Sequence, residues 1–173
     1  VVIDKSEIEG MPPEVCYKFA IAETTKRGRN PMKFEAVLQS DCRKIVLELE
    51  GKIGVPEPFS VTEHGRDTVF AMERLPALSI DDIMRGRGTI PEWFDVDVFC
   101  DELKAAIDFM HEKGFYHRDM HRGNVMMRQE REAPEDDKWG YIIDFGLSGY
   151  GLENLDPYEK TVAGERFTYG RDD

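Results

Sequence analysis

The sequence predicts an α+β protein built as two lobes. Strand-like segments with a single helical pattern fill its first third, and a mainly helical stretch follows Pro76. The densest polar cluster then falls on a loop, just after the longest amphipathic segment. At 173 residues the chain suits one compact unit or two lobes sharing a core. Its 40% hydrophobic content is enough for a buried interior and too high for intrinsic disorder.

Each element has its own justification. Val1 to Asp4 is a short apolar run, followed by a loop marked by Gly10 and Pro12-Pro13. Val15 to Ile21 is rich in aromatic and β-branched residues and reads as a strand. Alternation there puts Cys16, Lys18 and Ala20 on one face and Val15, Tyr17 and Phe19 on the other. Lys26 to Pro31 forms a basic loop. A helix follows, with Phe34, Leu38, Asp41 or Cys42, Ile45 and Leu49 on one side, ending at Gly51. Val61 and the run Thr68 to Met72 lie in two further strands around a turn at Glu63 to Asp67. Asp95 to Lys113 carries Val96, Phe99, Leu103, Ala106, Ile107 and Met110 at helical spacing, with Gly114 as the stop. Short apolar pairs, Val125-Met126 and Tyr141-Ile142-Ile143, precede a glycine-rich tail.

Charge and cysteine usage limit the function classes. The net charge of −12 argues against non-specific nucleic-acid binding. No apolar run approaches the ~20 residues needed to cross a bilayer, so no membrane role is expected. Val1-Val2-Ile3-Asp4 lacks the pattern of a secretory leader. Cys16, Cys42 and Cys100 have no metal-type spacing, which favours a cytoplasmic setting with buried thiols. Cys42 and Cys100 are expected in the core.

The chemistry concentrates in Tyr116-His117-Arg118-Asp119-Met120-His121-Arg122-Gly123-Asn124-Val125. An aspartate and an asparagine five residues apart on a loop suit two tasks. Asp119 can accept a proton from a hydroxyl, and the amide oxygen of Asn124 can ligate a hard cation such as Mg²⁺. Downstream, Asp144 ends the apolar strand Tyr141-Ile142-Ile143 and is followed by Phe145-Gly146, a placement that suits a metal at a cleft rim.

These segments, His117-Arg118-Asp119 with Asn124 and then Asp144-Phe145-Gly146, resemble the catalytic loop and metal-binding signature of protein kinases. Val15-Cys16-Tyr17-Lys18 resembles the family's strand motif, and Phe70 to Leu75 resembles its hinge. The resemblance implies a two-lobed kinase-like fold, with a small sheet and one helix in residues 1–75 and a truncated helical lobe in residues 76–173. It implies ATP and Mg²⁺ as cofactors. Lys18 would contact the α- and β-phosphates, and Asp119 would orient and deprotonate the acceptor hydroxyl. Asn124 and Asp144 would hold Mg²⁺. Glu73 and Leu75 would meet adenine through their backbone beside Met72, while His117 and Phe145 pack the cleft. Arg118 would pair with a phosphate on Tyr158, Thr161 or Thr168.

The sequence also departs from the family pattern. No glycine-rich phosphate loop is visible; it lay upstream of Val1, or the protein lacks it. His121 stands where a lysine is usual in serine/threonine kinases, and His-x-Asp-x-His-x-x-Asn looks more like small-molecule kinases of the aminoglycoside and choline type. A neutral imidazole there could still donate to a γ-phosphate oxygen, which makes His121 a candidate catalytic residue. The carboxylate partner of Lys18 is Glu35 on counting forward, or falls at Asp41 or Cys42 on counting back from Gly54 to Pro58. Thr161 to Gly164 resembles the end of an activation segment, with Gly170-Arg171-Asp172 where Ala-Pro-Glu is expected. Compact bacterial effector kinases and some viral kinases share this outline, which extends the expected setting to a host cytosol. The expected function is transfer of the γ-phosphate to a Ser, Thr or Tyr of a protein substrate by a monomer. Alternatives are a small-molecule phosphotransferase and a catalytically inactive binding scaffold.

Overall fold

The computed structural model describes residues 2–5, 14–20, 30–65, 67–130, 138–151, 158–162 and 165–169. In chain order the elements are β1 (Val2–Lys5), β2 (Glu14–Ala20), α1 (Met32–Glu48), β3 (Ile53–Gly54), β4 (Pro58–His64), β5 (Asp67–Glu73) and β6 (Ala77–Ser79). There follow α2 (Ile80–Met84), α3 (Val96–Glu112), β7 (Phe115–Tyr116), β8 (Val125–Arg128), β9 (Gly140–Ile142), β10 (Gly149–Tyr150), β11 (Tyr158–Val162) and β12 (Glu165–Tyr169). The α+β class and the kinase-like arrangement are as expected.

The first sheet is antiparallel, in the order β1-β2-β5-β4. Lys18 pairs with Phe70, which is fully buried against Met32 and Ala36 of α1. Because strand side chains alternate, this register turns Lys18 toward the face that α1 covers. On the other face Val15 is fully buried, while Phe19 at the far end is 49% exposed.

Pro31 opens α1, and Glu35 in its first turn suits the positive end of the helix dipole. The helix stops at Glu48, slightly short of the expected Gly51. Glu50 then takes a left-handed backbone (φ 55°), which a continuing helix excludes. Phe34, Leu38, Cys42 and Ile45 face inward as the spacing implied. They join Phe99, Ala106 and Met110 of α3 with Phe115, Ile142 and Phe145 in one core. Asp95 caps α3 by accepting from the N–H groups of Asp97 and Val98, and Gly114 (φ 74°) ends it as foreseen.

Two residues of α3 depart from expectation. Cys100 and Val96 are exposed, because the buried stripe runs through Phe99, Ala106 and Met110 and each sits off it. After Pro76 there is also more strand than a helix-dominated half implies. One sheet runs β3-β9-β8-β6, with β3 and β9 parallel and the rest antiparallel. Gly140 is required there, since a Cβ would collide with the ring of Phe99 and the carbonyl of Met126. The pairs β7–β10 and β11–β12 are antiparallel, and the second lies in the stretch read as a tail. Among the described residues no helix is long and apolar enough to cross a membrane. The acidic run of the sequence from Glu130 to Asp137 falls, after its first residue, outside the described residues.

Candidate active site

Four separate segments converge on one cluster. From β2, the Lys18 Nζ lies 2.5 Å from Glu35 Oε1 and 3.1 Å from Asp144 Oδ1. Glu35 is only 2% exposed, and a buried carboxylate requires a counter-charge, which Lys18 supplies. This decides the open choice of partner. Asp41 lies six residues further on, turned away around the helix, and accepts instead from the Tyr150 hydroxyl at 3.2 Å. Cys42 is in the core.

The hairpin of β8 and β9 aligns the two expected metal ligands. Asn124 immediately precedes β8, and Ile143 N–H donates to the Asn124 carbonyl at 3.0 Å. That bond extends the Val125–Ile142 pairing and sets Asp144 one residue beyond it. Asn124 Nδ2 donates to the Asp119 carbonyl at 3.0 Å and to its Oδ2 at 3.3 Å. With its nitrogen engaged this way, the side chain turns its oxygen to the opposite side. Two oxygen donors, Asn124 and Asp144, fit Mg²⁺, which takes few protein ligands and completes its shell with phosphate and water oxygens. Among the described residues no group of three or more His, Cys, Asp or Glu could hold a metal by itself.

Backbone strain marks the same place. Arg118 and Asp144 both have φ 63°, which non-glycine residues rarely adopt. Neighbouring bonds hold them there. Arg118 donates to the carbonyls of Tyr150 and Gly151 at 3.3 and 3.1 Å, and Gly146 N–H approaches Asp144 Oδ1 at 3.4 Å. Asn30 adds a brace that sequence reasoning did not single out. Asn30 is buried just before Pro31; its Nδ2 donates to the carbonyls of Phe145 and Ser148, and its N–H donates to the Gly146 carbonyl. A lone asparagine before a proline carries no signal of that task. Gln39 was missed likewise; its Nε2 reaches the Pro56 carbonyl and the Met72 sulfur.

His117 is the scaffold residue the resemblance implied. It is 1% exposed and its Nε2 lies 2.9 Å from the Ile143 carbonyl, so Nε2 carries the proton. Its Nδ1 is buried without a partner, and its ring stands edge-on to Phe145 at 5.1 Å. Burial pushes its pKa below the ordinary 6.5, against the hydrogen bond to Ile143 and the nearby Asp119 and Asp144. The folded state therefore binds fewer protons than the unfolded one just below pH 6.5, and stability falls as pH drops through that window. Unfolding free energies from urea titrations at pH 7 to pH 5 are expected to decline by up to ~1.4 kcal/mol per pH unit from this group, with a shallower slope in His117→Asn. An unchanged slope in that variant would remove His117 as the cause.

His121 has the opposite setting. It is exposed, and its Nδ1 accepts from Gly123 N–H at 3.0 Å, which puts the proton on Nε2. That nitrogen lies 3.8 Å from Asp119 Oδ1, beyond hydrogen-bonding range. A side chain at position 123 would press on the imidazole, since a Cβ there would approach His121 Cε1 to 2.9 Å.

At the hinge, Met72 pairs with Cys16 across the sheet and Leu75 lies just past β5, half-buried. Glu73 N–H already donates to the Glu57 carbonyl at 2.8 Å, so the expected adenine contact cannot use that donor. The side chains of Tyr158, Thr161 and Thr168, expected as phosphate acceptors for Arg118, lie outside the described residues.

The arrangement of a lysine–glutamate pair, a loop aspartate and asparagine, and a strand-end aspartate can position a polyphosphate against a hydroxyl. A family model described as the protein kinase domain matches residues 30–167. The chain belongs to the protein kinase family. It is 33% identical over 87 residues to serine/threonine-protein kinase 10 of Homo sapiens, an overlap of 49% of this chain and 8% of that protein. It is 27% identical over 127 residues to the probable serine/threonine protein kinase IREH1 of Arabidopsis thaliana, covering 70% of this chain and 9% of that one. The chain spans less than a tenth of either relative's length.

Proposed function

We propose that the protein is an ATP- and Mg²⁺-dependent kinase that phosphorylates a serine, threonine or tyrosine of another protein. The single observation carrying this is Lys18, held between Glu35 and Asp144 at 2.5 and 3.1 Å, in a chain of the kinase family. Residues 1–75 and 76–173 serve as its two lobes, with the nucleotide between them and adenine beside Met72 and Leu75. Three free cysteines suit a reducing compartment such as the cytosol.

In this reading Lys18 meets the α- and β-phosphates, and its two carboxylate partners fix its direction. Asn124 and Asp144 hold Mg²⁺, which when bound neutralises phosphate charge. Asp119 orients the acceptor hydroxyl and takes its proton as the oxygen attacks the γ-phosphorus and ADP leaves. The Asn124 amide fixes the Asp119 carboxylate for that task. His121 Nε2–H donates toward a γ-phosphate oxygen.

Incubation with γ-labelled ATP and a panel of proteins is expected to give labelled protein, the label vanishing in Asp144→Ala. No transfer to any protein, itself included, would count against the reading. His121 in place of lysine favours one second reading, a small-molecule phosphotransferase. Turnover of ATP with aminoglycosides, choline or sugars but not with proteins would establish it instead.

A further inference from the structure

The chain carries a net charge of −12, yet beside Asp119 it gathers arginines. Asp81 accepts from two of them at once, Arg85 Nε at 2.6 Å on one carboxylate oxygen and Arg122 Nε at 2.7 Å on the other. Arg87 Nη1 bonds Asp82 Oδ1 at 2.7 Å, and Asp82 also accepts from the Ser79 hydroxyl. Three guanidinium groups therefore face two carboxylates. All three arginine side chains are more than half exposed, at 58%, 64% and 56% for Arg85, Arg87 and Arg122.

The geometry ties this cluster to the site. Asp81 N–H donates to the Arg122 carbonyl at 3.0 Å, so α2 is bonded to the loop that carries Asp119 three residues earlier. Arg85 and Arg122 are anchored through Nε, and Arg122 Nη1 also lies 3.9 Å from the Met84 sulfur; anchoring through Nε leaves outer nitrogens to meet another ligand. Guanidinium groups already held in place lose little side-chain freedom on binding an anion. A surface arginine is ordinarily just solvated. Three together, one on the loop and two held by the α2 carboxylates bonded to it, are placed in an acidic protein to act on what approaches Asp119.

We propose that Arg85, Arg87 and Arg122 form a rim that selects protein substrates with acidic residues flanking the acceptor hydroxyl. This deepens the kinase reading and rests on it for the transfer step. The overall negative charge repels such a substrate at long range, but screening limits that repulsion to about 8 Å at physiological salt. Contacts at the rim then decide which segment is held.

Two readouts test this. The first is anisotropy of a labelled peptide with one serine among glutamates, against a matched peptide with lysines, on Asp119→Asn protein that needs no turnover. The acidic peptide is expected to bind about tenfold tighter at physiological salt, the yield of two or three exposed ion pairs. High salt and the double variant Arg85→Glu/Arg122→Glu should erase the preference. The milder Arg85→Ala/Arg87→Ala should reduce it without moving the melting temperature. The second readout is kcat/KM for transfer to the same peptides by the unmodified chain, expected to follow the same order. Equal binding, tighter binding of the lysine peptide, or a preference that survives the double variant would overturn the proposal. A binding preference without transfer to any peptide would support the rim and overturn the kinase reading instead.

Discussion

Lys18→Ala is expected to cut phosphate transfer by about 10²–10³-fold, the usual effect of removing one preorganised charge from a reaction centre. It is also expected to destabilise the fold. Glu35, at 2% exposure, would lose the cation that offsets its burial. Breaking a buried pair from one side costs ~3–5 kcal/mol, and the figure here is about 2–4 because a quarter of the Lys18 side chain still meets water. The double variant Lys18→Ala/Glu35→Gln separates the two effects. Its denaturation midpoint should recover most of the loss, since no charge is stranded, while transfer stays low. If the single variant is as active as the parent, Lys18 does not serve the phosphates. If the double variant is no more stable than the single one, the stranded Glu35 charge is not what destabilises Lys18→Ala.

Phe115→Ala should cost about 3–5 kcal/mol of folding free energy, read from urea unfolding. Phe115 is fully buried, with Phe145 at 6.2 Å and the Tyr150 ring edge-on at 5.3 Å. Against a typical total of ~5–15 kcal/mol, that loss removes a large share of stability. It also empties the space on which Phe145 and Tyr150 rest, next to Asp144 and Asp41. Phe115→Leu keeps most of the volume and should lose far less. Equal losses in the two variants would mean that the ring contacts, not the filled volume, are what count.

The parts of this molecule that were legible in the sequence are those written in local pattern. Alternation over Val15 to Ile21 gave the facing of Lys18, and helical spacing with a glycine stop gave α3 almost to the residue. The candidate site was legible because Asp119, Asn124 and Asp144 sit in short, dense segments. What stayed hidden depends on long-range closure. Glu35 and Asp41 are both acidic and both on α1, and only the angle at which the helix packs on the sheet separates them. Asn30 braces a turn more than a hundred residues away, a relation no window of sequence contains. The exposure of Cys100 was missed because cysteine on an amphipathic helix favours the core, whereas one position of offset from Phe99 put it outside. The arginine rim was equally invisible, since Asp81 and Arg122 look like ordinary surface charges until α2 docks on the loop.

The β8–β9 pairing has an evolutionary corollary. Asn124 and Asp144 flank the two strands, and Val125 is matched to Ile142. A one-residue slip would send alternate side chains to the opposite face. An insertion inside either strand is thus expected to upset the placing of Asn124 against Asp144, even with both residues intact. Beyond the far end of the ladder, past Arg128 and before Trp139, extra length leaves that spacing untouched. Added length between Arg128 and Trp139 is therefore expected to be tolerated, and added length within the paired strands is not.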